Sequence, residues 1–462
     1  MKHWESLVRV IFAAHNDIEE WRIADPELAA ARGFPREFAS AIVDDHGIVF
    51  VDVALDAATG EPICHEVNGP NAVGSDALTG ESSARAASEV AQTIRRARER
   101  GLVREGRVTH PFVTLHAHQH WRSFRTGGEL YPRVARFAAE LEARLGASVA
   151  LRGPRDALGD EAVSVVVGDV PSVGAHLTVA HETFAFRDRP VAFVGNPNLL
   201  WELVRLGRLV VRDGRVVGAD LRALHAGRLA HVIHDKALQQ RLCEGTGLRP
   251  LRHFEARSRA EALAMTRAAL ADGPVVLKPN AGSGGTGVHV VVAAMDDAAI
   301  LGVIDRLVGD VAAKYGANCE ATLYPLRGFE FVRSTPYPLA DGGHLWDLRI
   351  ALELSPGRIR AYPVTFRLAP APFDAGRFHT ERDMWISNVS GRDVTFLKSG
   401  LDRRELAKVG IDDAGLDRII DASVRWLERA WDGATRDPGG RVFEDEAELA
   451  EPGFYPRERF AR

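Results

Sequence analysis

Cysteine is scarce: Cys64, Cys243 and Cys319 are the only three in 462 residues. Three widely separated thiols, odd in number, build no disulfide framework and fit a reducing compartment. A basic stripe is missing too. Arginines are scattered among acids and the formal net charge is −5, so a nucleic-acid partner is not expected. No apolar run approaches membrane-spanning length, and the N-terminal MKHWESLVRVIFAAHNDIEEW is broken by Arg9 and then by acids. No membrane contact is therefore expected, and the cytoplasm is the default location. Internal repeats and low-complexity linkers are absent as well. What remains is 46% hydrophobic and 26% charged, ordinary for a globular chain with room for two to four domains.

The most informative segment is VVLKPNAGSGGTGV, Val275 to Val288. It satisfies G-x-G-x-x-G at Gly282, Gly284 and Gly287, but a dinucleotide fingerprint needs a helix next. VHVVVAAM follows instead, a β-branched run that reads as a second strand. The glycines then cap a hairpin whose backbone N–H groups can meet an anion, with Lys278 as a point charge at the end of the first strand. The alternative is a glycine-rich turn with no function.

Elsewhere, Trp4 to Arg32 reads as helix and VFVDVAL, ending at Leu55, as a strand. AATGE then reads as a turn before PICHEVN. A helix is expected from about Ser82 to a glycine stop at Gly101. From Phe112 to about Val232, strands (FVTLHAH, VSVVVG, PVAFVG) alternate with helices such as YPRVARFAAELEARLG, which suggests a small open α/β domain. KALQQRLCEGTGL and RAEALAMTRAALADG read as helices around a short strand. RIALEL and IRAYPVTFRL read as strands, and LDRIIDASVRWLERAW as a C-terminal helix.

Residues from Lys236 to Asn388 resemble the ATP-grasp fold in the style of bacterial glutathione synthetase and D-alanine:D-alanine ligase. DKALQQRLCEGTGL is similar to the family's first phosphate lysine and its helix, and VVLKPNAGSGGTGV to the second lysine and flap. The resemblance implies that Lys236, Lys278, Gly282, Ser283, Gly284, Gly285 and Gly287 contact phosphates. CEATLYPLRGFEF resembles the interlobe hinge, which implies Glu320, Ala321 and Leu323 against the adenine and Glu330 on the ribose. WDLRIALELSPGRIRAYPVTFRLAP resembles the stretch that holds an aspartate and two arginines, here Asp347, Arg349 and Arg367, and NVSG at Asn388 the region after it.

The terminal metal strands of such enzymes have no counterpart after Gly391. FVDVALDAATGEPICHEVNGPNAVG, Phe50 to Gly74, resembles them instead, so the chain looks circularly permuted. The implied metal ligands are Asp52, Glu66 and Asn68. If AATGE closes a hairpin, Asp52 lies opposite Glu66, and strand period 2 puts Glu66 and Asn68 on one face, a hard-oxygen set suited to magnesium.

The expected class is therefore α/β: an ATP-grasp fold of two α+β lobes with an open α/β pre-ATP-grasp domain, circularly permuted. Residues 1–100 would be the permuted metal-binding part of the large lobe, and 101–232 the pre-ATP-grasp domain. Residues 233–310 would be the small lobe with the glycine flap, and 311–462 the large lobe with a helical tail. The resemblance implies ATP and magnesium ions, two of them, with manganese as a substitute. The implied reaction is a ligase step through an acyl phosphate, joining a small-molecule or peptide carboxylate to an amine or thiol. Arg367, Arg349 and Lys278 would stabilise the transferring oxygens. A kinase acting on a hydroxyl, or an ATP binder without catalysis, are the rival classes. His116, His118 and His120 alternate at a strand end, where substrate contact or plain strand-end polarity is preferred to a metal site. Asp56 reads as a turn residue, and Cys64 as a packed thiol.

Overall fold

The computed structural model describes residues 11–12, 36–42, 47–68, 87–95 apart from 89, 112–118, 130–180, 183–194, 199, 202–203, 206, 208, 210–212, 215–217, 236–279, 287–315, 325–355, 357–385, 396–398 and 403–436. The chain divides into two compact units. One holds Met1–Arg22, Gly69–Val210 and Val216–Gly227, and the other Ile23–Asn68, Val211–Arg215 and Arg228–Arg462.

In the first unit, Val149–Arg152, Val163–Asp169, Phe112–His118 and Arg189–Val194 pair in parallel, and Thr183–Phe186 and Leu177–Ala180 extend the sheet. Val163–Asp169 is buried on both faces and rich in valine, as suits a strand covered on both sides. The helix Leu130–Leu145 buries Val134, Phe137, Ala138 and Leu141 in a core with Phe112, Val165 and Phe193. Helical residues within 87–95 add Ala87, Val90, Ala91 and Ile94, the spacing of one helix face. Two expectations need correction. Ile11–Phe12, inside the segment read as helix, is a strand that pairs in parallel with Phe193 and Val194. Pairing along an open sheet edge satisfies its backbone and overrides a weak helical pattern. His116 is 1% exposed, with ring centroids 4.8 Å from Phe137 and 5.0 Å from Phe193, so it is a core residue that substrate does not reach. The side chain of His118 and all of His120 lie outside the described residues.

Two larger antiparallel sheets lie in the second unit, beside the short pair Tyr337–Leu339 and Gly342–His344. One runs Arg36–Ala39, Arg358–Leu368, Trp346–Ser355, Gly47–Leu55, Pro62–Asn68, with Phe396–Lys398 beside Arg358–Leu368. The helix Asp413–Arg436 lies on two of its strands and buries Leu416, Ile419, Ile420, Val424, Leu427 and Trp431. The other sheet runs His253–Ala256, Leu326–Glu330, Val275–Lys278, His289–Val291. It carries the expected lysine hairpin: Val275, Val276 and Leu277 pair with Val291, Val290 and His289. Gly328 lets this sheet close. A Cβ there would lie 2.2 Å from the ring of Phe254, its cross-strand partner. The helix Arg259–Ala269 starts from Ser258, whose hydroxyl accepts from Glu261 N, while the Glu261 carboxylate accepts from Arg257 N. That reciprocal arrangement satisfies two amides at the helix start.

Candidate functional site

Gly47–Leu55 is the strand on which the site is built. Val49, Phe50, Val51, Val53 and Ala54 are all fully buried, and Asp52, also 0% exposed, is the one charge among them. A turn over Asp56 to Glu61 reverses the chain. Asp56 Oδ1 accepts from Ala58 N at 2.7 Å and Gly60 takes φ +72, which agrees with the turn reading of Asp56. The returning strand pairs Asp52 with Glu66 and Val53 with Cys64, so His65 is an extra residue in a bulge. A bulge re-aims side chains. Here it brings His65 Nδ1 to 3.8 Å from Asp347 Oδ2, on a different strand. No sequence signal pointed to His65, because only the register creates the bulge.

Across the sheet, register continues the row of charges. Arg349 is the partner of Asp52, and Asp347 the partner of Arg367. Arg349 donates through Nε and Nη2 to the two Asp52 oxygens at 2.7 and 2.8 Å. Arg367 donates through Nη2 to Asp52 at 2.8 Å and grips both Asp347 oxygens, Nε at 2.7 Å. Asn68 Nδ2 donates to Asp52 Oδ2 at 2.8 Å. Burial opposes the charge on Asp347, but the Arg367 guanidinium and His65 outweigh it and hold that carboxyl well below the usual range. Arg367 is itself pushed up, against its own burial, by Asp347 and Asp52.

The helix Lys236–Arg241 brings the first lysine to this row. Its Gln239 side chain imitates a strand partner: Val67 N donates to Oε1 at 2.9 Å, and Nε2 donates to Val67 O at 2.8 Å. Gln240 Nε2 reaches Cys64 O at 3.2 Å, and its Oε1 accepts from Leu251 N at 2.7 Å. Fixed by these amides, Lys236 ion-pairs with Glu66, 170 positions away in the chain. The two glutamines were missed as site residues. Their only trace in the sequence is a polar pair in a short helix.

Lys278 completes the cluster, at the end of its strand and with Nζ 5.1 Å above the Phe329 ring. Burial lowers it to about 8, helped by Lys236 and Arg367 and opposed by Glu66. Burial alone would raise Glu66, yet Lys236, Lys278 and Arg367 bring it down to about 2. Asp52 and Glu66 therefore do not stand as two mutually repelling carboxylates, which is what their adjacency alone suggests. Each is held by cations. Lys236, Lys278, Arg349 and Arg367 outnumber Asp52, Glu66 and Asp347 by one charge, an arrangement that attracts an anion.

Glu330 is committed elsewhere. Its oxygens accept from Arg249 Nη1 at 2.6 Å, Arg252 N at 3.0 Å and Arg252 Nε at 2.9 Å. Arg249 also reaches Asp56 Oδ2 at 2.9 Å. Cys64 and Cys243 are both buried and adjacent; the Cys243 thiol and burial raise Cys64 well above the usual thiol range, as a packed, inert thiol requires. Gly287 closes the lysine hairpin at φ +70, where a Cβ would lie 3.2 Å from Val311. Gly282, Ser283, Gly284, Gly285, Glu320, Ala321, Leu323 and Asn388 lie outside the described residues. Among the described residues, no group of three or more His, Cys, Asp or Glu could hold a metal ion by itself, and no helix is long and apolar enough to cross a membrane.

No protein-family model matches the sequence, and no curated protein matches it. Among solved structures, the chain is similar to the biotin carboxylase domain of the Hydrogenobacter thermophilus 2-oxoglutarate carboxylase, determined with MgADP, ADP and bicarbonate. The identity is 12% over 70% of each chain, with a TM-score of 0.29. A superposition that loose does not define a common fold.

Proposed function

We propose that the chain is an ATP-dependent ligase of ATP-grasp type, circularly permuted, that activates a carboxylate as an acyl phosphate for attack by an amine or thiol. One observation carries this reading: Lys236 and Lys278, from two separate phosphate-lysine motifs, converge on Glu66 of the hairpin that resembles a metal strand. A glycine-rich turn without function gives no reason for such convergence. In this reading residues 101–232 contribute the open α/β domain, and the Val275–Val291 hairpin covers the nucleotide.

The donor chemistry fits a magnesium ion in part. Glu66 is reachable, with its side chain 19% exposed, and Asn68 spends its amide nitrogen on Asp52, which leaves its oxygen for a ligand. Both are hard oxygen donors. Bound there, magnesium supplies positive charge to phosphate oxygens. Because cations already exceed carboxylates in the cluster, an ion arriving with a polyphosphate binds more tightly than a bare one.

The chain's own residues then do the following. Lys236 and Lys278 exchange part of their attraction to Glu66 for phosphate oxygens, and the anion keeps Lys278 protonated. Backbone amides of the hairpin tip, Ser283 to Gly287, add neutral donors. Arg367 has its Nε and Nη2 spent on carboxylates, while its Nη1 makes no hydrogen bond among the described residues and is available to a transferring phosphoryl oxygen. Positioning and charge carry the step, as phosphoryl transfer allows.

A screen of amino acids and short peptides, singly and in pairs, for ADP release tests this. ADP and phosphate are expected only when both acceptor and nucleophile are present. A phosphorylated product from one substrate identifies a kinase, and no ADP with any pair rejects the ligase.

A further inference from the structure

The resemblance to metal strands assigns Asp52 to magnesium, and the geometry points elsewhere. A carboxylate offers about four acceptor positions. At Asp52 four donors converge: Oδ1 accepts from Arg349 Nε, and Oδ2 from Arg349 Nη2, Arg367 Nη2 and Asn68 Nδ2, at 2.7 to 2.8 Å, which saturates Oδ2 and leaves one position on Oδ1. The residue is 0% exposed, and Arg349 is 1% exposed. A divalent ion at Asp52 would have to take the remaining Oδ1 position beside two guanidiniums or displace one of them from a buried ion pair. Either course is costly in a site removed from water.

We propose that Asp52 is a positioning residue: its buried carboxylate locks the Arg349 and Arg367 guanidiniums and the Asn68 amide, and Glu66 with Asn68 offers the oxygens to the metal. Side chains from four strands meet at this carboxylate. Arg349 is 297 positions away and Arg367 is 315, so the lock joins parts of the chain that nothing local holds together. With Nη2 of Arg367 tied to Asp52 and Nε to Asp347, the guanidinium plane is fixed and its free edge presented in one direction. With Nδ2 of Asn68 tied to the same oxygen, its amide cannot flip, and the carbonyl oxygen is the atom turned to a ligand. Arg349 is the buried counterion of the lock and touches no substrate. The inference deepens the proposed function and rests on it for the role of Arg367, whereas the lock itself does not depend on any nucleotide.

The test separates the two. Asp52→Asn, Arg349→Gln and the double variant are melted in metal-free buffer with chelator. Each single change is expected to lower the midpoint by about 5 °C or more, and the double variant by less than the sum. Binding of Mn²⁺ alone, read by electron paramagnetic resonance, is expected to stay within about threefold for Asp52→Asn and Arg349→Gln and to weaken at least tenfold for Glu66→Gln. Tenfold weaker Mn²⁺ binding by Asp52→Asn with unchanged melting overturns the proposal. So do strictly additive melting shifts, or tenfold tighter Mn²⁺ binding by Arg349→Gln, which would mean that the guanidinium had masked a ligand. Should Asp52→Asn fail to fold, the Arg349→Gln arms decide alone. In turnover, Asp52→Asn is expected to lower kcat at least tenfold with the Mg²⁺ half-saturation unchanged, and an unchanged kcat removes the positioning role. A parent protein that makes no ADP, yet shows the melting and Mn²⁺ results, keeps the lock and loses the ligase.

Discussion

Two carboxylates, buried Glu161 in the first unit and half-buried Glu66 in the second, are both lowered to about 2, for different reasons. Glu161 is held by direct hydrogen bonds. Arg152 donates to it through Nε at 2.9 Å and Nη2 at 3.0 Å, and Ser164 at 2.7 Å. The neighbouring Arg189 ends on the Leu158 and Gly159 carbonyls, so the group closes on itself. Glu66 is held by one direct contact, from Lys236, and by the field of Lys278 and Arg367 against its desolvation, and Lys278 is itself lowered by burial and by the other cations. The first arrangement is complete without a ligand. The second keeps cations close together in a partly dry place, which stabilises the fold poorly and an incoming anion well.

Breaking that contrast is the most direct test of it. Lys278→Ala is expected to lower ATP-dependent turnover about 100-fold or more, since a charge is lost from the proposed phosphate site, partly removed from water. Its melting midpoint should stay within about 3 °C of the parent or rise, because the variant no longer buries a lowered ammonium. Calorimetry and a melt decide. Full turnover, or a large loss of stability, would make Lys278 a structural residue like Arg152.

A purely structural change in the same unit gives the opposite pattern. Gly328→Val is expected to cost about 1–3 kcal/mol in denaturant unfolding, because the Phe254 ring has nowhere to move within a packed sheet. A variant as stable as the parent would mean that Phe254 swings away freely.

The smallest effect sharpens the other side. Glu161→Gln should cost about 1 kcal/mol at neutral pH, with ADP release unchanged. Its folded value of about 2 lies below the ordinary 4.5, so its charged form stabilises the folded state fully above the unfolded value. That contribution is lost as pH falls from about 4.5 toward about 2. The stability difference between parent and variant should therefore be constant above about pH 5.5 and shrink below it. A difference that persists unchanged at pH 2.5 would show that packing, and not charge, is what Glu161 supplies.

Periodicity alone placed the strands Phe112–His118, Val163–Asp169 and Arg189–Val194, the helices Leu130–Leu145 and Asp413–Arg436, and the lysine hairpin. Each of these is decided by neighbours a few residues apart in the chain. Spacing around AATGE expects Asp52 opposite Glu66, and that pair forms, but by way of a bulge, since the register at the turn would have set His65 there. What the sequence could not decide was everything that depends on distant pairing. The strand at Ile11–Phe12 exists because an edge of the first unit's sheet was open to it. His65 faces Asp347 because a bulge shifts the register by one residue, and His116 is core because Phe137 and Phe193 close over it. Asp52, by its type and its place beside a Glu-x-Asn, looked like a metal ligand. Only the arrival of Arg349 and Arg367 from strands about three hundred positions away surrounds its oxygens with guanidinium donors, since the partners of a buried carboxylate are set by what meets it in space and leave no mark on its neighbours in the chain.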